Sequence, residues 1–187
     1  MRVLVAEDDP LIALALTERL RSLGHEPIGP APDGAAAIEL ARATSPDLYL
    51  FDVEMPNVDG LDAAAQLANE GLRRPVVIVT GVEDPGLIER SVANGVSAFL
   101  TKPIDTRELQ AAIALAAARH AELVGAEQAL EDRKLVERAK GLLMSALGLS
   151  EQDAFRRLQV TARERNLRLA DVAARIVEQQ DVLTPKR

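Results

Sequence analysis

The chain has 187 residues, 48% of them hydrophobic, 27% charged and 2% aromatic, with no cysteine and a net charge of −7. That length suits one compact domain plus a smaller unit, and the balance of apolar and mixed-sign charged residues excludes a disordered chain. The lack of cysteine excludes a disulfide framework and a thiolate metal site, and His25 and His120 are too few for a zinc centre, which leaves a hard cation held by oxygen.

No apolar run reaches the roughly 20 residues that cross a bilayer, and no basic leader precedes one, so a cytoplasmic protein without membrane contact is expected. Residues 1–125 hold 10 Lys and Arg against 19 Asp and Glu, whereas 126–187 hold 12 against 10. An acidic part suited to cations thus precedes a mildly basic part suited to a different partner.

Short apolar runs predict buried strands at 3–6, 48–51, 76–80 and 98–101, with a weaker one at 27–29. Asp9 and Pro10 read as an N-cap and first helical position; Leu11, Leu14, Ala15 and Leu20 carry that helix to about Ser22, and Gly24 ends it. Helices over 33–42, 59–70, 84–94 and from 105 onward each open on an aspartate suited to capping free backbone amides. Strands joined by helical crossovers cannot pair as tight hairpins, so the reading is an α/β, five-stranded parallel, doubly wound sheet with helices on both faces.

From 105 to about 147 there is no proline, and the only glycines are Gly125 and Gly141, which predicts one long helix or two nearly collinear ones. Leu109, Ile113, Ala116, His120 and Leu123 follow the alternation of a coiled-coil seam that fails at Glu127. A short dimer contact and simple packing of this helix on its own sheet are equally open. Leu135, Ala139, Leu142, Leu143 and Ala146 line a further helical face, Gly148 reads as a stop, and Ser150 with Asp153 caps the next helix. Ala154, Phe155, Leu158 and Ala162 form its apolar stripe; Leu169, Val172, Ala173, Ile176 and Val177 form that of a third helix. The domain plan is 1–122, a helical linker over 105–135 that overlaps the last helix of the first domain, and a three-helix all-α domain over 130–187.

Ligands of such sheets bind outside the carboxyl ends of the strands, where Glu7, Asp8, Asp52, Thr80 and Lys102 are expected to converge. A carboxylate that attacks a phosphoryl group needs a divalent cation to neutralise both partners, and Mg2+ suits a site of a few carboxylates. In this scheme Asp52 is the nucleophile that forms an acyl phosphate, Lys102 pairs with the carboxylate or the phosphoryl oxygens, and Thr80 offers a hydroxyl to the transferred group. Asp9 caps the first helix rather than binding metal.

The segments Val-Leu-Val-Ala-Glu7-Asp8-Asp9, Asp52-Val-Glu-Met-Pro56-Asn-Val-Asp-Gly60, Val-Thr80-Gly and Ala-Phe99-Leu-Thr-Lys102-Pro103 occur in an order and spacing that resembles the receiver domain of two-component response regulators. The resemblance implies a flavodoxin-like receiver over 1–122, phosphorylated on Asp52 by a histidine kinase, and a cis bond before Pro103. It also implies metal ligation by Glu7, Asp8, Asp52 and the backbone carbonyl of Glu54. Thr80 and Phe99 are then the switch residues, the ring of Phe99 moving inward on phosphorylation and reshaping the face of the fourth predicted helix, fifth strand and fifth helix.

Further on, Ala139-Lys140-Gly141-Leu-Leu-Met144, Ser150 to Leu158, Arg165-Asn166 and Leu169-Ala-Asp171-Val172-Ala173 resemble the ANTAR domain of transcription antiterminators. Gly141 sits mid-helix, where glycine costs about 1 kcal/mol relative to alanine, and a close backbone approach would explain it. Met144 is expected in the core. The resemblance implies binding to paired RNA hairpins of nascent transcripts, with Lys140 leading the RNA contacts, followed by Arg157, Arg165 and Asn166, and Gly141 beside them. Two hairpins suit a phosphorylation-dependent homodimer. The expected function is therefore a response regulator that controls transcription antitermination and is no independent enzyme. The alternatives are a DNA-binding transcription factor and a phosphorylation-controlled protein-binding regulator.

Overall fold

The computed structural model describes residues 1–81, 86, 90 and 95–183, the side chains of 180–183 excepted. It divides into two units, 1–122 and 123–187. The first contains β1 (Arg2–Ala6), α1 (Pro10–Ser22), β2 (Glu26–Ala31), α2 (Gly34–Thr44), β3 (Leu48–Asp52), α3 (Gly60–Asn69), β4 (Val76–Thr80) and β5 (Ala98–Thr101). Next come α4 (Thr106–Leu147), α5 (Glu151–Glu164) and α6 (Leu169–Leu183). The helix expected over 84–94 lies outside the described residues. No helix among the described residues is long and apolar enough to cross a membrane.

All four strand pairings are parallel, in the order β2-β1-β3-β4-β5. Side chains alternate across a strand, so β1 sends Leu4 and Ala6 to one face and Val3 and Val5 to the other. On the first face they meet Ala37, Ile38 and Ala41 of α2 and Leu61, Ala64 and Leu67 of α3. On the second they meet Leu16 and Leu20 of α1 and Leu109, Ile113 and Ala116 of α4. The central strands β3 and β4 are buried throughout, as strands covered on both sides must be. Leu109, Ile113 and Ala116 are therefore spent on their own sheet, and of the seam read from the sequence Leu123 is left 64% exposed.

The aspartate caps form as the sequence implies. Asp9 accepts from the amides of Leu11 and Ile12, Asp33 from Ala36, Asp59 from Asp62, and Asp105 from Arg107. The β2 strand is longer than its apolar core at 27–29, and it contains two prolines that only an edge strand tolerates.

In the second unit, α4, α5 and α6 close on Ala139, Leu158, Ala162, Val172, Ala173 and Val177, with Leu135, Leu142 and Leu143 half-buried around them. Gly148 stops α4 with a φ of +64°, and Ser150 caps α5 by accepting from the Asp153 amide. Ala146 is exposed rather than part of the apolar face, and Met144, expected in the core, is 38% exposed in the last turn of α4. Lys140 is one of the few buried charged residues. Its ammonium lies 2.9 Å from Glu137, one helical turn back, and 2.7 Å from Glu151 at the start of α5, with the Phe155 ring 5.9 Å away. It thereby ties α4 to the first turn of α5.

Two outcomes follow from this packing. A Cβ on Gly60 would lie 2.0 Å from the carbonyl oxygen of Asp52, so Gly60→Ala should lower stability by about 3 kcal/mol in urea unfolding, the upper range for overpacking. Lys140→Met removes the centre of a two-carboxylate cluster, and the second unit should then melt at lower temperature, as read from the helical circular dichroism signal.

Candidate functional site

Each strand of a parallel sheet ends its chain direction at the same edge, which gathers residues far apart in sequence. Glu7 and Asp8 follow β1, Asp52 closes β3, Thr80 closes β4 and Lys102 follows β5. Glu7, Asp52 and Thr80 are 2%, 3% and 6% exposed, while Asp8 is open to solvent. Carboxylate oxygens of Glu7, Asp8 and Asp52 lie within 4.8 Å of one another. Three acids this close repel unless cations stand among them.

One cation is the Lys102 ammonium, 2.8 Å from Asp52 Oδ2 and 3.0 Å from Glu7 Oε1, to both of which it donates hydrogen bonds. Burial alone would lower its pKa, but the hydrogen bonds to Asp52 and then Glu7 outweigh this and raise it. Glu7 moves upward for the opposite balance: burial raises its pKa most, the Lys102 hydrogen bond pulls it down, and the Asp52 charge pushes it up again. Glu7 Oε2 is buried and accepts no hydrogen bond, although it is 2.8 Å from the same ammonium. Three carboxylates whose oxygens converge within 4.8 Å are a donor set that fits a hard divalent cation.

The bond between Lys102 and Pro103 is cis, as the resemblance to receiver domains implies, and the Lys102 amide donates to the Thr80 carbonyl at 2.9 Å. Glu54 is exposed and reaches Asp52 through its backbone amide, 3.3 Å from Oδ1. Asp9 is held in its capping role. Phe99 stands on β5 with 38% of its surface exposed.

The sequence-derived RNA candidates of the second unit fall into different environments. Lys140 is enclosed by Glu137 and Glu151, whose hydrogen bonds raise its pKa, Glu151 first, while Glu151 is lowered in return. Gly141 is exposed, and a Cβ there would meet nothing within 4 Å, so no close approach within the chain accounts for it. Asn166 adopts φ +50° just past the end of α5, a left-handed position that asparagine tolerates well, so helix termination explains it. Arg157 and Arg165 are exposed. The sequence reading missed Glu137 and Glu151 as partners of Lys140. The i, i+3 spacing of Glu137 was a usable signal, whereas Glu151 meets it only through the turn between helices.

Comparison with known proteins agrees with this geometry. The family described as "Response regulator receiver domain" matches residues 3–114, and that described as "ANTAR domain" matches residues 125–177. The transcriptional regulatory protein PdtaR of Mycobacterium tuberculosis is 42% identical over 184 residues, covering 95% of this chain and 89% of its own. Among solved structures, the receiver domain of the putative response regulator NarL from the same organism is 32% identical, with a TM-score of 0.58 over 62% of this chain and 94% of its own. A LuxR-family DNA-binding response regulator from Staphylococcus aureus is 28% identical, with a TM-score of 0.59 over 62% of this chain and 98% of its own. This chain accordingly belongs to the response regulators, with an N-terminal receiver domain followed by an ANTAR domain.

Proposed function

We propose that a histidine kinase phosphorylates this protein on Asp52 and that the phosphorylated form controls binding of RNA hairpins, and through it transcription antitermination. The observation that carries the reading is the buried Asp52 carboxylate at the end of β3, hydrogen-bonded to Lys102 Nζ at 2.8 Å and flanked by Glu7 and Asp8. An Asp52 oxygen attacks the phosphoryl group of a phosphohistidine, the phosphorus–nitrogen bond breaks, and an acyl phosphate remains on the aspartate. Lys102 stays beside the new oxygens as counter-charge, and Thr80 at the end of β4 offers its hydroxyl to them. Glu7, Asp8, Asp52 and the Glu54 carbonyl would hold Mg2+, which when bound supplies charge neutralisation at the phosphoryl oxygens. The chain takes part in its own phosphorylation and dephosphorylation and acts as a cytoplasmic signalling protein rather than an enzyme on other substrates. Thr80 and Phe99 relay the change as a shift of population. A phosphorylation-dependent homodimer would present two ANTAR domains to two hairpins.

Magnesium should raise the melting temperature, because a ligand that binds only the folded state at tenfold its Kd adds about 1.4 kcal/mol. Asp8→Asn and Glu7→Gln should each reduce that rise; an undiminished rise in both would place the cation elsewhere. In electrophoretic shift assays with tandem RNA hairpins, beryllofluoride with Mg2+ should tighten binding by the wild type and leave Asp52→Ala unchanged. Tighter binding to matched duplex DNA would instead support a DNA-binding factor.

A further inference from the structure

The basic side chains of the second unit differ in how acids hold them. Lys134, Lys140 and Arg168 are each ion-paired, to Glu131, to Glu137 and Glu151, and to Asp171 and Asp132. Arg165 and Arg175 instead line one cavity of about 210 Å³ between α5 and α6; after the Arg168 hydrogen bond, the Arg175 charge, one helical turn from Asp171, helps to lower that carboxyl's pKa. Its floor is apolar, formed by Leu167, Val172 and Ile176. The turn after α5 builds it: Asn166 takes its left-handed conformation and the Leu167 amide returns to the Ala162 carbonyl at 2.9 Å, setting Leu167 against the core.

We propose that this cavity receives one unpaired base of an RNA loop, with Arg165 and Arg175 engaging its face and the adjoining phosphate. The assignment rests on the RNA-binding reading above and replaces Lys140 as the centre of recognition. Three features carry it. Pockets for drug-sized ligands run from about 300 to 1,000 Å³, so this space has the scale of a single ring system. Apolar walls beside guanidinium planes are what a splayed-out base needs, since every base has a π-face to stack and edges to hydrogen-bond. Two like charges around one hollow repel, and a phosphate relieves that repulsion. Thr161 on the rim already donates its hydroxyl to the Arg157 carbonyl at 2.9 Å, so its oxygen faces a ligand as an acceptor, suited to an exocyclic amine. Lys140, closed between two carboxylates, would have to break both pairs to reach a phosphate.

The test uses the full-length protein with beryllofluoride and Mg2+, and hairpins carrying an abasic nucleotide at each loop position in turn. Arg175→Ala and Arg165→Ala should each weaken the intact hairpin by about tenfold or more, within the range for loss of one stacked base, while Lys134→Ala changes nothing. One abasic position should reproduce that loss, and Arg175→Ala should add little to it, the non-additivity expected of groups in contact. Arg175→Lys keeps the charge but not the planar group, so it should retain the salt dependence and lose discrimination at that position. Equal losses by Arg175→Ala on intact and all abasic hairpins would reduce the arginine to a phosphate contact and overturn the base pocket. Full binding by both alanine variants, with unchanged circular dichroism, would overturn the assignment while leaving RNA binding intact. No binding by the wild type would overturn the RNA reading and this assignment with it.

Discussion

The receiver domain depends on one ammonium group. Parallel strands deliver Glu7, Asp8 and Asp52 to a single edge, and the sheet that does so also buries two of the three. Burying carboxylates near one another costs free energy twice, once for lost hydration and once for repulsion. Lys102 offsets both because it touches Glu7 and Asp52 together. It can do this only from the end of β5, with its backbone amide anchored on Thr80. The pairing makes the cluster tolerable without cancelling its strain: burial and the Asp52 charge still hold the Glu7 carboxyl above its ordinary pKa. Under the proposed function, a site balanced in this way would answer to an added cation or phosphoryl group, as a phosphorylation switch requires.

The same edge limits what the surrounding chain can be. Gly60 begins α3 against the Asp52 carbonyl, at a distance no side chain could occupy. The aspartates that cap α1, α2 and α3 satisfy amides that the helix starts leave free, and Asp9, adjacent to Asp8 in sequence, is held in this role by Leu11 and Ile12. Local capping chemistry thus decides which of three consecutive acids are free for function.

Much of this was legible in the sequence because the signals were local or periodic. Strands β1, β3, β4 and β5 announce themselves as short apolar runs, the caps as aspartates ahead of helical spacing, and the site as polar residues placed where those runs end. The β2 strand was weaker because Pro27 and Pro30 interrupt its pattern, and only its place at the edge of the sheet makes them tolerable. The seam at Leu109, Ile113 and Ala116 was ambiguous because a helix packing on a sheet and a helix packing on a copy of itself need the same apolar spacing. Met144 was misplaced for a related reason: periodicity shows that a helix has an apolar side but not how far the neighbouring helices extend over it.

Charge is where sequence reading loses most, and the ANTAR domain shows why. A lysine and an arginine look equally available on paper, yet availability is a matter of which acids the fold brings beside them. Glu137 lies one turn from Lys140 and could be guessed, but Glu151 reaches it only after α4 has stopped at Gly148 and the chain has turned into α5. Once both pairs form, the most conspicuous cation of the motif becomes a brace between helices, whereas the guanidiniums of Arg165 and Arg175 line a cavity between α5 and α6. A nucleic-acid contact has to release counterions to gain free energy. An ammonium already neutralised by two carboxylates has few to release, so under the proposed function the face that would bind RNA is set by the acids the fold withholds from its cations as much as by the cations themselves.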